Sequence, residues 1–379
     1  MAEGLGFCPA ILYHIDQIAD QNAPGKKMHV AGFLAMLFCC QNSTVSPLND
    51  QYSGGHQRGL TVSYRRRPIL ADVQTESTCD INAQPTKLEW NVPVLSHRQY
   101  GFHIADDLIR RYCEDASDMK NTGSPSTRVM AEVFDLIVEG ANIVMKSINV
   151  ALVTAMATEF GVNTTTGSST GKVININRNG NDYSLDDGIV EIMSDIQHNE
   201  ICGTPCIVGG GLFNSFYNHA KVITCCNQAG LNIGEAGIPP FYFDKDTQTI
   251  WGQDTIGMFA PGSVKFISRN KYVGSWAGQR GLSFFTTLPL PVNEFGCADD
   301  CLRDLVLDMQ LRYNDCAVDD GQGGTIEPGM HVMLSKDFAL WAQPDNAFQE
   351  GDELEGTNGM LKYFITNTSY TGGAYAYPA

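Results

Sequence analysis

No stretch of this 379-residue chain reaches the roughly 18 uninterrupted apolar residues of a membrane-spanning helix. The best candidate, Val30 to Cys40, stops well short, so no membrane association is expected. The opening residues, MAEGLGFCPAILYHID, place acidic Glu3 where a secretory leader carries positive charge and offer no clear cleavage site, which predicts a cytoplasmic product. Basic residues are also short: 25 Lys and Arg face 42 Asp and Glu, a formal net charge of −17. Such a surface repels a phosphate backbone, so tight or sequence-specific nucleic-acid binding is not expected.

Metal-ligand spacing is missing as well. Twelve cysteines are present, but the doublets Cys39/Cys40 and Cys225/Cys226 and several others sit in or beside apolar runs, as reduced, buried thiols do. Cys202/Cys206 and Cys297/Cys301 each have three intervening residues, wider than structural zinc sites use, with no histidine close by in sequence. The eight histidines are scattered without a paired helical spacing. The acidic loops Asp315 to Asp320 and Glu350 to Glu355 lack the ordered ligand positions of a calcium loop.

Nucleotide and catalytic signals fail in the same way. Gly167-Ser-Ser-Thr-Gly171-Lys172-Val173 has three residues between its glycines where a phosphate loop has four. Val173 replaces the metal-binding hydroxyl, and the segment follows a helix instead of a strand. Gly209 to Gly211 fit a tight strand-to-helix turn and not the spaced-glycine dinucleotide fingerprint. His219 and Cys225 come closest to a base and nucleophile, but such a pair is defined in space and not by spacing. No catalytic residue, cofactor or metal is assigned.

What is present is a long amphipathic pattern. Met130, Phe134, Ile137, Ala141, Val144, Ile148, Ala151 and Ala155 recur at spacings of three and four, predicting one helix over Thr127 to Gly161. At 1.5 Å per residue it would be roughly 50 Å long and need neighbours to cover it. Upstream, Leu60, Val62 and Tyr64 alternate with Thr61, Ser63 and Arg65, and Leu88, Trp90, Val92 and Val94 supply a partner strand across a long polar connection. A two-stranded hairpin is marginal alone, so this one must lie on something. Charge is uneven too: residues 1–130 hold 12 Lys/Arg and 13 Asp/Glu, whereas residues 131–379 hold 13 and 29. Arg65, Arg66 and Arg67 on the hairpin, with Glu132, Asp135 and Glu139 on the helix, are the candidate contacts between copies.

After the helix, short strands alternate with helices of ten to fifteen residues. Expected elements are a strand at Val173 to Ile176, a helix at Leu185 to Gln197 and a strand at Cys206 to Leu212. A helical stretch from Phe213 to Gln228 and strands at Pro240 to Phe243, Thr255 to Phe259 and Ser263 to Ser268 follow. Strict alternation of Leu305, Leu307, Met309, Leu311 and Tyr313 predicts a strand over Asp304 to Cys316, with further strands at His331 to Leu334 and Leu361 to Thr366. Ala105 to Cys113 is expected to form a short helix.

The segment Phe259-Ala-Pro-Gly-Ser-Val-Lys-Phe-Ile-Ser-Arg-Asn-Lys-Tyr-Val-Gly274, with Leu288-Pro-Leu-Pro291 and Asp304 to Cys316, resembles coat proteins of tailed bacteriophages. In element order, too, the chain resembles the Hong Kong 97 fold that they share with encapsulins. The resemblance implies an α+β chain with an N-terminal arm over 1–50 and an extended β-hairpin loop over 51–100. It implies a peripheral domain over 101–186 with a spine helix at 127–161, an axial domain over 187–299, and a return to the peripheral domain with extra strands over 300–379. It further implies a non-enzymatic major capsid protein, a homo-oligomer of hexamers and pentamers in an icosahedral shell, assembled in the host cytoplasm and located in the virion. Portal, head-decoration or cement proteins would be its partners, and double-stranded DNA would be enclosed without sequence-specific binding. An encapsulin-like compartment, another virion head component and a cytosolic α/β enzyme are the competing readings.

Overall fold

The computed structural model describes residues 32–39, 46–47, 61–65, 87–91, 96–108, 127–175, 178–179, 182–183, 185–201, 203–210, 239–252, 254–272, 277–280, 283–289, 305–314, 318–319, 325–326, 328–345 and 354–366. In chain order the first elements are α1 (Gly32–Cys39), β1 (Ser46–Pro47), β2 (Thr61–Arg65), β3 (Lys87–Asn91), β4 (Ser96–Ala105) and α2 (Thr127–Met156). Then come β5 (Lys172–Asn175), β6 (Arg178–Asn179), β7 (Asp182–Tyr183), α3 (Leu185–His198), β8 (Cys206–Gly209), β9 (Phe241–Phe243), α4 (Lys245–Ile250) and β10 (Thr255–Phe259). The rest is β11 (Val264–Arg269), β12 (Gly278–Arg280), β13 (Ser283–Pro289), β14 (Val306–Asn314), β15 (Val318–Asp319), β16 (Thr325–Ile326), β17 (Gly329–Ala342) and β18 (Met360–Thr366). The class is α+β, as expected.

Two large sheets organise the chain. A seven-stranded sheet runs β1-β11-β17-β14-β13-β12, with β4 on the other edge of β17. A five-stranded sheet runs β5-β18-β10-β8-β9. The pairs β2–β3, β6–β7 and β15–β16 stand apart from both. The stretches 187–299 and 300–379 interleave: β11 and β13 from the first join the seven-stranded sheet, and β18 from the second lies between β5 and β10 in the five-stranded one.

β17 is the axis of the larger sheet. Residues 329–335 pair with β14 on one edge and 337–342 with β11 on that same edge, while β4 covers 329–338 on the opposite edge. The edge shared by β14 and β11 changes hands at Lys336. The expected strand at His331 to Leu334 is therefore one part of a 14-residue strand. In β14 the predicted apolar face is buried at Leu307, Met309 and Leu311, but Asp308 between them is fully buried as well and Tyr313 is only partly buried.

The long helix α2 is 30 residues, about 45 Å, and ends at Met156 rather than at Gly161. Backbone bonds from Ala157 N to Thr154 O and from Glu159 N to Met156 O tighten the last turn. Phe160 then folds inward against Trp251, ring centroids 5.3 Å apart, and Gly161 N bonds Met360 O. The buried face also turns along the rod. Ile137, Ala141, Val144 and Ile148 are buried as predicted, but burial then passes to Leu152, Val153 and Met156, leaving Ala151 half-buried and Ala155 exposed.

Two different neighbours cause that turn. The first half of α2 lies over β4 and β17: a Cβ on Gly140 would come within 3.0 Å of Phe102 and 3.2 Å of Leu334. The second half packs against α1, α4 and the aromatic cluster of Phe33, Trp251, Phe160 and Phe259. Hydropathy alone would let Asp135–Met156 cross a bilayer. Fully buried Asn149, with two carboxylate partners, shows that this apolar face belongs to a protein core.

α1 falls within the stretch expected to be an arm, yet Phe33 to Phe38 are at most 7% exposed. Its sequence, GFLAMLFC, is apolar all round, the signature of a helix surrounded by core. Gly32 allows its close docking, because a Cβ there would lie 1.8 Å from the Phe243 carbonyl oxygen. β4 replaces the expected start of a helix at Ala105; residues 106–108 are helical and 109–113 lie outside the described residues, as does the stretch Phe213 to Gln228.

Candidate functional site

Among the described residues, the predicted contact residues fall on two elements. Arg65 ends β2, whose register with β3 runs from Thr61↔Asn91 to Arg65↔Lys87. The Arg65 side chain, and Arg66 and Arg67 entirely, lie outside the described residues. Glu132 lies in α2, but its side chain is not among those described. Asp135 is half-buried and Glu139 exposed on α2, four residues apart and therefore on one face. Neither hairpin strand joins the larger sheets among the described residues, and β3 is separated from β4 by four residues.

Among the described residues lie three buried polar assemblies. In the first, Asp244 is 1% exposed and accepts from Phe33 N at 2.8 Å, Asn149 Nδ2 at 3.0 Å and Asp246 N at 2.7 Å. Asn149 Nδ2 also donates to Asp246 Oδ2 at 2.8 Å, and its Oδ1 accepts from Leu34 N at 3.3 Å. Asp244 thus caps α4 through its own chain and α1 from a distance. Burial pushes its carboxyl above the usual range, while the three hydrogen bonds pull it back.

The second assembly sits where β11 gives way to β14 beside β17. Asp308, fully buried, accepts from Lys271 N at 2.8 Å and Tyr272 N at 3.3 Å, anchoring the turn after β11. Burial raises its carboxyl. Asp337 accepts from His97 Nδ1 at 2.6 Å and Lys271 Nζ at 3.0 Å, joining β17, β4 and that turn. Lys336 is fully buried and donates to Asn270 Oδ1. Burial pulls its ammonium down to about 8, against the opposing pull of Asp308 and Asp337. Sequence alternation marks the apolar residues of β14 but gives no sign of these buried charges.

The third assembly explains the glycine-rich segment after α2. Asp195 on α3 is fully buried and accepts from Asn163 Nδ2 at 3.0 Å, Thr165 Oγ1 at 2.9 Å and Lys172 Nζ at 2.7 Å. Gly167 takes φ +64° at the turn. Burial lowers the Lys172 ammonium, but Asp195 and Glu191 outweigh it and leave the group raised. The lysine of the phosphate-loop look-alike is therefore committed to two carboxylates and holds a loop to α3.

Gly209 closes β8, and a Cβ on Gly210 would lie 2.4 Å from the Gln248 side chain, so the backbone there runs against α4. His219 and Cys225 lie outside the described residues. Cys206 is disulfide-bonded, which differs from the reduced thiols expected of cysteines in apolar runs. Among the described residues no three His, Cys, Asp or Glu side chains gather in a group able to hold a metal ion.

Among solved structures, the chain is similar to phage capsid structures. It matches a chain of the cyanophage A-1(L) capsid asymmetric unit at 14% identity and TM-score 0.48, over 91% of this chain and 96% of that one. A structure from Mycobacterium phage Bobi matches at 10% identity and TM-score 0.46, over 92% and 94%. The virus-like particle from Pyrococcus furiosus matches at 8% identity and TM-score 0.34, over 79% and 85%. No family model matches the chain, and no curated protein does.

Proposed function

We propose that the chain is a major capsid protein of a tailed phage, self-assembling as hexamers and pentamers into an icosahedral shell around double-stranded DNA. The observation that carries this reading is the isolation of the β2–β3 hairpin. It pairs with neither large sheet among the described residues, although it feeds directly into β4, the edge strand of the larger one. Two strands alone bury too little to be stable in water, so identical neighbours are the natural cover. The likeness of Phe259 to Gly274, Leu288 to Pro291 and Asp304 to Cys316 to phage coat sequences supports the same reading.

In this reading β2–β3 belongs to the extended loop, and α2 is the spine of a peripheral domain built on the seven-stranded sheet. The five-stranded sheet, with α3 and α4, forms the axial domain. The chain acts structurally and not as an enzyme, and the acidic body keeps the inner wall from adsorbing the genome. Portal and cement proteins complete the virion around it.

Negative-stain microscopy with light scattering of the expressed protein tests the proposal. Closed particles or capsomers are expected. A monomer at every concentration would overturn it.

A further inference from the structure

The outward face of α2 carries an apolar line of its own. Leu136, Ile143 and Val150 are 36%, 49% and 37% exposed on a helix whose inner face is fully used. They are spaced by seven, so each step drifts only about 20° around the helix, and the line is about 21 Å long. One flank holds exposed Glu139 and Lys146.

We propose that this line is a two-fold contact with α2 of a second copy, the helices antiparallel and centred on Ile143. Leu136 then meets Val150 of the partner subunit, and Ile143 meets Ile143 of the partner subunit. An antiparallel two-fold keeps like flanks together, so Glu139 comes beside Lys146 of the partner subunit, offset along the axis by about one residue's rise, 1.5 Å. The charge pair forms twice. A parallel pair would put those charges on opposite sides of the seam. This self-complementarity in charge and spacing, and not the apolar line alone, selects a second copy as the occupant. The inference rests on the shell reading for its setting, since local two-folds relate neighbouring capsomers.

The test is oxidative cross-linking of intact particles with copper phenanthroline. Ile143→Cys is expected to give a reducible dimer absent from the wild type, whose own thiols are the control. Leu136→Cys alone should give none, because symmetry separates its two copies by about 21 Å, whereas Leu136→Cys with Val150→Cys should restore it and also covers a misfolded Ile143→Cys. Glu139→Lys should abolish the Ile143→Cys dimer, and Glu139→Lys with Lys146→Glu should bring it back. Intact particles with no dimer from either cysteine design would overturn this contact and leave the shell reading standing. A wild type that forms no particles, with no dimer in solution, would overturn both.

Discussion

Asn149 and Asp244 meet at 3.0 Å across 95 residues of chain, Nδ2 to Oδ2, at the point where the long helix, the buried helix and the five-stranded sheet come together. Asn149 also bonds Leu34 N and Asp246, and Asp244 bonds Phe33 N. One amide and one carboxylate therefore satisfy the first amides of α1, which has no polar residue in its own first turn.

Asn149→Ala removes one accepted and two donated hydrogen bonds from a site with no exposure, leaving Leu34 N unpaired. A loss of about 3 kcal/mol is expected, read as a lower melting temperature or denaturant midpoint. An unchanged midpoint would show that water takes over the role.

Gly32→Ala places a methyl group 1.8 Å from the Phe243 carbonyl oxygen, which is backbone and cannot rotate away. The expected cost is about 3 kcal/mol, the upper end for overpacking, with α1 undocked and soluble yield reduced. Normal yield and melting would contradict the packing described.

Lys336 sets a pH dependence. Its folded value of about 8 lies below the ordinary 10.5, so between those values the unfolded chain holds a proton that the folded chain has released. Stability therefore rises with pH across that window, by about 3 kcal/mol. Lys336→Met should flatten this rise in a pH series of denaturation midpoints. Identical slopes in the variant and wild type would remove Lys336 as the source.

Arg65→Glu, Arg66→Glu and Arg67→Glu together should lower particle yield while leaving the subunit's melting temperature near that of wild type, since in the proposed shell these charges meet acidic surfaces of neighbouring copies. Equal particle yield, measured by sedimentation, would argue against the hairpin as a clasp.

Much of the fold was legible because periodicity is a local property. The α2 pattern and the alternation of β14 depend only on which side chains share a face, and both appear within a few residues of the expected bounds. β4 was not legible: SHRQYGFHIA is polar and does not alternate cleanly, and it becomes a strand because β17 offers it an edge. The strand expected at His331 to Leu334 is shorter than β17, which runs on through the charged Lys336 and Asp337. Their burial is made tolerable by Asn270, His97 and Lys271, which arrive from other parts of the chain. The phosphate-loop look-alike was rejected on spacing, but only Asp195, 23 residues beyond Lys172, reveals what that lysine does.

By itself, then, the order of residues determined the long helix, the acidic body and the absence of familiar catalytic spacing, because composition and period act over one or two turns, while the α+β class came with the resemblance to phage coat proteins. Tertiary structure decided that an apolar run near the N-terminus is core, that α2 changes its buried face halfway along, and where buried charges find partners. Those outcomes depend on contacts between residues tens to hundreds of positions apart, and no local pattern encodes them.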